Sequence, residues 1–172
     1  MFIIYGKGKS MKIPFNKPHI TGKEISYMQE ALVSGQQAGN KMFANKVIRL
    51  MKAKFQYKSI FLTPSCTAAL EMGALLADIK PGDEVILPSY TFSSTVNAVV
   101  IFGAVPVFCE VDPKTMNIDV SKIRSLVSRK TRMIIPIDYA GVPCEIDKIM
   151  QIADEHKIIV CLLYTSPSPR DS

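Results

Sequence analysis

The sequence predicts an α/β fold with three layers and a mostly parallel sheet. Apolar runs of strand length alternate along the chain with longer segments of helical periodicity. The runs, such as EVILP at 84–88 and RMIIPI at 132–137, are apolar at every position after a charged first residue rather than at alternate positions. Strands of this kind are usually covered by helices on both faces. A composition of 48% hydrophobic and 21% charged residues over 172 positions suits a globular domain or part of a larger one.

The first predicted helix has a start signal and a stop signal. Thr21 and Glu24 are spaced as a capping box, in which each side chain bonds a free backbone N–H of the other residue. The helix should run to about Ser34, because Gly35 is a suitable C-terminal stop. A second helix is expected over about 43–55, with four apolar residues in the spacing of a core-facing stripe: Phe43, Val47, Leu50 and Met51.

The later elements follow from apolar runs and turn residues. In order they are strand 59–63, helix 65–78, turn 81–83, strand 84–88, helix 91–102, strand 104–111, turn 112–113, helix 119–128, strand 132–137, helix 145–156 and strand 157–160. Pro106 cannot donate to a sheet ladder, so its strand should lie at an edge or be irregular. Asp119 has the side chain of a helix N-cap.

Charge and composition argue against several kinds of partner. The formal net charge is +6, but the lysines are scattered, so we expect solvated lysine faces and no nucleic-acid partner. No apolar run approaches the ~20 residues of a membrane span, and we expect no membrane partner. The cysteines lack metal-ligand spacing, so we expect no metal site, no disulfide framework and a cytoplasmic location. They are Cys66, Cys109, Cys144 and Cys161.

The first candidate site lies in the stretch LTPSCTAALEM, where the strand predicted at 59–63 gives way to a helix. Free N–H groups and the positive end of the dipole make a helix start suitable for phosphate. Hydroxyls at Ser65 and Thr67 would add donors beside Cys66 and Ala68. The alternative is that Ser65 is only an N-cap.

The second candidate site lies in the stretch ILPSYTFSST, directly after strand 84–88. Tyr90 and Phe92 fall in the loop before the next predicted helix. In open α/β sheets, ligands bind beyond the carboxyl ends of the strands, so an aromatic side chain here could lie flat on a planar ring. The alternative for Phe92 is ordinary core packing. Together the two sites would provide a phosphate cradle and an aromatic plate.

Both sites and several further stretches resemble the DegT/StrS-type sugar-nucleotide aminotransferases. The resembling stretches are IPFNKPHITGKEISYMQEAL, the segment 62–104 that contains TPSCTA, PGDEVI and PSYTF, then VDPKTMNID and DYAGVPCEIDKIM. They span nearly all of the chain from Met11 to Val160. This family uses pyridoxal 5′-phosphate (PLP). The resemblance therefore implies the N-terminal part of the large domain of the aspartate-aminotransferase (type I PLP) fold.

Cofactor contacts carry over by matched position. The resemblance implies that Thr67 and Ala68 meet the PLP phosphate, that Ser65 and Cys66 form the same turn, and that Phe92 stacks on the pyridine ring. No metal is implied. The family members act on nucleotide sugars, take the amino group from an amino acid that is typically glutamate, and generally form homodimers. A non-catalytic protein that binds PLP or a nucleotide sugar on the same fold is the alternative, whereas a dinucleotide enzyme would need a G-x-G-x-x-G turn after a strand.

No catalytic residue is assigned in this chain. In the family, the strand after the EIDKIM helix ends in an Asp that pairs with the pyridinium nitrogen, and the Schiff-base lysine comes later. Here Val160 is followed by CLLYTSPSPRDS, whose back-translation matches a common transposase-based sequencing adapter. We therefore expect residues 161–172 to be adapter-derived and exclude Asp171 from that pairing role.

Two further expectations concern the start of the chain and position 138. We expect Met11 to be the start and residues 1–10 to be upstream read-through, which leaves 11–160 as a partial large domain. Family members usually carry His before the triplet that is Tyr139-Ala140-Gly141 here. Asp138 occupies that position in this chain, so a role for residue 138 in binding stays open.

Overall fold

The N-terminal part of the structure contains two helices and a short hairpin. The computed structural model describes the backbone of residues 2–4, 11–13 and 19–164, and the side chains of residues 19–164. The chain divides into two units between Pro64 and Ser65. The elements before this point are β1 (Phe2–Ile4), antiparallel to β2 (Met11–Ile13), and the helices α1 (Glu24–Val33) and α2 (Met42–Phe55). Most of the expected read-through 1–10 and of the expected adapter-derived tail 161–172 lies outside the described residues.

Half of the predicted capping box forms at the start of α1. The Glu24 carboxylate accepts a hydrogen bond from the Thr21 N–H at 2.7 Å. The reciprocal bond is replaced, because the Thr21 hydroxyl donates to the same carboxylate at 2.8 Å. These bonds, led by the one from the Thr21 N–H, lower the pKa of Glu24 from its ordinary 4.5 to about 2. At the other end, Gly35 has a φ of +65° and ends the helix as predicted.

We expect the first turn of α1 to loosen in acid. A lowered carboxyl pKa contributes stability that is complete above the unfolded value of 4.5 and is lost as the pH falls towards about 2. The measurement is a pH titration of the Glu24 carboxyl carbon by NMR, with amide exchange of Thr21 followed in parallel. Glu24→Gln should make the protection factor of the Thr21 amide, the intrinsic exchange rate at each pH divided by the observed rate, independent of pH over this window. Titration of Glu24 near 4.5 would contradict the hydrogen bonding described here.

Two expectations for the first unit are wrong. The apolar stripe of α2 is only partly covered, since Phe43 packs edge-on against Tyr27 of α1, whereas Val47 and Leu50 are exposed. Periodicity shows which side chains share a face, but it does not show that a described element covers that face. The predicted strand 59–63 also does not form. None of the described strands runs beside it to exchange backbone hydrogen bonds, and a strand without a partner is not stable.

The second unit is built on a parallel sheet, as predicted, and this sheet has four strands. The strand order is β4-β3-β5-β7, and every pair in it is parallel. The helices α3 and α4 precede and follow β3, α5 follows β4, and α6 follows β5. The elements are α3 (Cys66–Leu76), β3 (Glu84–Pro88), α4 (Ser93–Val100), β4 (Val105–Cys109), α5 (Val120–Leu126), β5 (Thr131–Ile134), β6 (Ile137–Asp138), α6 (Ile146–His156), β7 (Ile159–Val160) and β8 (Leu163–Tyr164).

Side chains of the central strands pack into two separate hydrophobic cores, one on each face of the sheet. Val85 and Leu87 of β3 pack with α3 and α4, whereas Ile86, between them, packs with α5 and α6. In β5, Met133 faces the first core and Ile134 the second. All five side chains are 1% exposed or less. This two-sided burial explains the continuous apolar runs and confirms the three-layer α/β architecture.

Strand β4 lies at an edge of the four-stranded sheet, as predicted from the presence of Pro106. The Val105 N–H donates to Asp83 of the preceding turn at 2.8 Å, and the Cys109 carbonyl accepts from Ser89 at 2.7 Å. Odd-numbered residues of β4 therefore direct their polar backbone groups towards β3, because these groups alternate sides along a strand. Pro106 has its ring nitrogen on the opposite, outer side. The missing donor thus removes no hydrogen bond from the sheet.

A short pair of strands extends the fold beyond the carboxyl end of β5. Ile137–Asp138 of β6 pairs in parallel with Leu163–Tyr164 of β8. The predicted strand 132–137 is thus two strands, β5 and β6, separated by Ile135 and Pro136. Asp119 caps α5 as predicted, with its carboxylate accepting the Ser121 N–H at 3.0 Å. Among the described residues, no helix combines the length and the apolar character needed to cross a membrane.

Candidate functional site

The candidate pocket lies where the strand order reverses. From β3 the chain crosses to β4 on one side and then returns past β3 to β5 on the other side. A crevice at the carboxyl ends of the strands is expected at such a point. The pocket found there has a volume of about 290 Å³, close to that of a small ligand site. Its wall combines residues from the loop after β3 with residues that follow β5: Tyr90, Thr91, Phe92, Thr95, Ile137 and Tyr139.

Phe92 is held at the pocket by its position at the start of α4. It is the N-cap residue and has extended backbone angles, so its side chain projects before the helix begins. Its side chain is 77% exposed, which excludes the alternative that it is an ordinary core residue. Behind it, the Thr91 hydroxyl donates to the buried Thr95 hydroxyl at 3.0 Å. The arrangement leaves an aromatic face available on a fixed helix start.

The start of α3 has the N-cap that the sequence allowed. The Ser65 hydroxyl oxygen accepts a hydrogen bond from the Ala68 N–H at 3.1 Å. The capping alternative is therefore realised for Ser65, and the Ala68 N–H already has a partner. Cys66 is exposed, and Thr67 is half-buried. The N–H groups of Cys66 and Thr67 belong to the first turn, where no preceding helical carbonyl exists to accept them.

Both predicted sites lie at the carboxyl ends of the strands, but they do not line the same pocket. Helix α3 ends shortly before β3 begins, and α4 begins shortly after β3 ends, while both helices pack on one face of the sheet. Their N-termini must therefore point towards the carboxyl ends of the strands. Phe92 lines the pocket, whereas the residues at the start of α3, Ser65 to Ala68, do not.

The segment after β7 also reaches this edge. Cys161 packs against α3, with its sulfur 3.5 Å from the place where a Cβ on Gly73 would lie. Burial raises the pKa of the Cys161 thiol, and nearby Cys66 raises it further. Leu163 completes the wall of the pocket. The side chains that residues 161–163 bring to this part of the fold are one thiol and two leucines.

A tyrosine pair forms the polar wall of the pocket, and sequence reasoning did not assign it. The rings of Tyr90 and Tyr139 meet edge-on with their centroids 5.2 Å apart, and their hydroxyl oxygens are 3.3 Å apart. The hydrogen bond with Tyr90 raises the pKa of Tyr139. The two residues are 49 positions apart in the sequence. Tyr139 lay within a resembling stretch, but no local pattern indicated that it meets Tyr90.

Asp138, the residue that departs from the family pattern, has a structural contact. Its carboxylate accepts the Cys144 N–H at 2.9 Å and so closes the intervening turn. Burial, followed by the hydrogen bond to Asp138, raises the pKa of the Cys144 thiol to about 12. Burial likewise raises the pKa of Cys109 to about 11. Both thiols are therefore protonated at neutral pH and are poor nucleophiles.

The part of the chain that the structure describes contains no set of side chains that could ligate a metal ion. Within residues 19–164, no group of three or more His, Cys, Asp or Glu side chains could hold a metal ion. The four cysteines are all free thiols. The chemistry that this edge of the sheet offers is an exposed aromatic face, a tyrosine hydroxyl pair and the start of a helix.

Comparison with known proteins gives a consistent assignment. The model of the DegT/DnrJ/EryC1/StrS aminotransferase family matches residues 18–162. The spore coat polysaccharide biosynthesis protein SpsC of Bacillus subtilis (strain 168) is 36% identical over 151 residues. That match covers 86% of this chain and 38% of SpsC. The chain thus spans well under half of the length of this relative.

Solved structures agree with the sequence match. The putative sugar aminotransferase Spr1654 from Streptococcus pneumoniae, in its PMP form, has a TM-score of 0.76 and 28% identity. That comparison covers 84% of this chain and 36% of the other. NtdA from Bacillus subtilis with bound cofactor PMP has a TM-score of 0.78 and 29% identity, covering 92% of this chain and 38% of the other. The chain belongs to the DegT/DnrJ/EryC1/StrS aminotransferase family.

Proposed function

We propose that this chain is the cofactor-binding N-terminal part of a PLP-dependent sugar aminotransferase. The observation that carries the proposal is the exposed Phe92 face above a pocket at the reversal of strand order. A flat aromatic side chain at this point suits a pyridine ring, and the start of α3 at the same edge suits a phosphate. Membership of the aminotransferase family supports the same reading.

The residues present fit the cofactor in their chemistry. Phe92 would stack on the pyridine ring, and its fixed backbone would orient that ring. The Thr67 hydroxyl and the N–H groups of the first turn of α3 would receive the phosphate, with Ala68 shared between the phosphate and the Ser65 cap. Cys66 would contribute its backbone N–H, as part of the same turn as Ser65. When bound, PLP supplies the electron sink that amino-group transfer requires.

We propose the substrates from the sequence resemblance. The whole protein would move an amino group, with glutamate as the expected donor, to a dTDP-4-keto-6-deoxy sugar. Within the family, the stretches TPSCTA, PGDEVI, PSYTF, TMNID and YAGV together resemble those of dTDP-4-amino-4,6-dideoxygalactose transaminase, which serves enterobacterial common antigen synthesis. The polysaccharide role in the name of SpsC is compatible with a surface polysaccharide product. The whole enzyme would act in the cytoplasm as a homodimer.

We propose that the 172-residue chain does not catalyse transamination by itself. None of its lysines lies in a motif of the family's Schiff-base lysine, and Cys161 to Leu163 offer no carboxylate for the ring nitrogen. Without that lysine the chain has no covalent anchor for PLP and no base for the proton transfer. A non-catalytic protein that binds PLP or a nucleotide sugar is the second candidate, and the lysine in the uninterrupted gene distinguishes the two.

The first experiment is a long sequencing read through the source locus across codon 160. We expect the reading frame to continue into an acidic residue and, later, the lysine of the family. That result would make residues 161–172 adapter-derived and the intact gene a transaminase gene. A genomic frame that ends in SPSPRDS would overturn both the domain assignment and the catalytic proposal. A continuous frame with another residue in place of the lysine would favour the binding protein.

Phe92→Ala should weaken the association of PLP with the chain by about 2- to 12-fold, the equivalent of about 0.5–1.5 kcal/mol of stacking. The wild-type chain itself should bind PLP only weakly, so the measurement is ligand-detected NMR at millimolar PLP. Phe108→Ala is the matched control, because Phe108 is also exposed but lies on the edge strand β4 away from the pocket. Equal effects of the two substitutions, or an absorbance band of lysine-bound PLP in the chain as purified without added PLP, would contradict the proposal.

A further inference from the structure

The turn that follows β6 determines where Tyr139 stands in the pocket. Residues Tyr139–Gly141 form a single 3-10 turn, and the Val142 N–H donates back to the Tyr139 carbonyl at 2.9 Å. Ala140 and Gly141 both have positive φ, at 50° and 79°. A non-glycine residue in the left-handed region is strained, so this turn needs external contacts to persist.

Asn117 supplies two of those contacts from a distant part of the chain. Its amide oxygen accepts the Tyr139 N–H at 2.9 Å, and its amide nitrogen donates to the Val142 carbonyl at 2.9 Å. The two bonds grip the turn at both ends. Asn117 itself is only 4% exposed. The partners also fix the orientation of the amide, because a flipped side chain would oppose two donors at one end and two acceptors at the other.

The backbone around Asn117 is fixed as well. The Asn117 carbonyl accepts the Asp112 N–H at 2.9 Å, and its own N–H donates to the Thr115 hydroxyl at 3.3 Å. The isolated bridge between Val111 and Ile118 closes this loop. Asp138, the residue before the turn, accepts the Cys144 N–H, which follows the turn. The segment that carries Tyr139 is thus fixed by the Asn117 amide and closed by the Asp138 carboxylate.

We infer that Asn117 is a positioning residue of the pocket, which acts through the Tyr139 turn to hold the Tyr139–Tyr90 pair as its polar wall. That this wall belongs to a cofactor site rests on the proposed function, whereas the positioning itself does not. No shorter side chain can reach both ends of the turn. An apolar side chain of similar size would remove the hydrogen bonds that Asn117 makes to the Tyr139 N–H and the Val142 carbonyl, and with them the hold on both ends of the turn.

The test is fluorine NMR of the full chain labelled with 3-fluorotyrosine at neutral pH. The sequence contains six tyrosines, and Tyr90→Phe and Tyr139→Phe identify the two resonances of the pair. In the wild type, the edge-on rings should shift both resonances away from free 3-fluorotyrosine. Asn117→Ala should move both to the free position at a temperature where the chain is still folded. Asn117→Asp keeps the acceptor for Tyr139 and should give an intermediate displacement.

Thr131→Ala is the matched control for lost stability. Thr131 is also buried, at 6% exposure, and its hydroxyl accepts the Ser128 N–H at the amino end of β5, away from the pocket. It should lower the thermal midpoint without moving the Tyr90 and Tyr139 resonances. If Asn117→Ala behaves in the same way, Asn117 contributes only stability, and the inference is overturned.

A measurement on the wild-type chain keeps the inference testable even if Asn117→Ala does not fold. The Tyr139 N–H, bonded to a buried amide oxygen, should exchange with solvent at least tenfold more slowly than an open loop amide. Exchange at the open rate would overturn the inference. Neither experiment involves PLP, so a failure of the proposed cofactor site and a failure of this positioning role give different results.

Discussion

Ile134→Ala should destabilise the second unit by about 2–5 kcal/mol, the usual cost of truncating a fully buried isoleucine. Ile134 lies in the central strand β5, is 0% exposed and packs in the core under α5 and α6. Removing three carbon atoms there leaves a cavity, because helices on a parallel sheet cannot collapse independently. The measurement is urea unfolding followed by circular dichroism, with the dependence of stability on urea concentration expected to stay unchanged.

The matched control is Ile159→Ala in the neighbouring strand β7. Ile159 is 46% exposed, so the same truncation removes little buried surface and should cost less than about 1 kcal/mol. Should Ile134→Ala leave no folded protein, Ile134→Val, with an expected cost of about 0.5–1.5 kcal/mol, provides the same comparison. Equal costs at the two positions would mean that β5 is not the buried centre of this sheet.

Gly103→Ala should cost about 2–4 kcal/mol, because two separate penalties add at this position. Gly103 has a φ of +80° in the turn between α4 and β4. A Cβ there would also lie 3.0 Å from three carbon atoms of Pro81, one of them in the backbone. The Gly103 carbonyl accepts the Gly82 N–H at 2.9 Å, so the two turns cannot separate without losing this bond.

Gly82→Ala separates the two penalties. Gly82 also has positive φ, at +88°, but nothing lies within 4 Å of the place where its Cβ would be. This substitution should carry only the backbone cost of about 1–2 kcal/mol. The difference between the two variants in thermal or urea unfolding then gives the cost of the contact with Pro81. A Gly103→Ala variant no less stable than Gly82→Ala would show that the turns are not packed as described.

Elements whose determinants are local were predictable from the sequence. Strand 84–88 was predicted with the limits that β3 has, because an apolar run stands there between the turn at Gly82 and the loop at Ser89. Asp119 and Gly35 acted as predicted because a cap or a helix stop depends on neighbours a few residues away. Segment 59–63 failed because strand formation also needs a partner, and apolar sequence alone does not supply one.

The candidate site was predictable in part for the same reason. The exposed position of Phe92 could be predicted because strand ends and helix starts are recognisable locally, whereas its role in binding stays a prediction. The Ser65 cap was also foreseen as the alternative to a phosphate contact. The contact of Asn117 with Tyr139 was not predicted, since it joins residues 22 positions apart and leaves no periodic signal. Pairing of the Tyr90 and Tyr139 hydroxyls likewise appears only after the strands are placed side by side.

The outward orientation of Pro106 has a consequence for self-association. A sheet grows into an aggregate when another molecule adds a strand to an exposed edge, and each addition needs a regular row of donors and acceptors. On the outer side of β4, positions 106 and 108 would provide the donors, but Pro106 has none. The proline ring of Pro106 thereby obstructs the addition of a strand from another molecule at the β4 edge. At the opposite edge, β7 has no proline, and Ile159 is exposed there. Of the two edges of this four-stranded sheet, the one formed by β7 is therefore the more open to the addition of a strand.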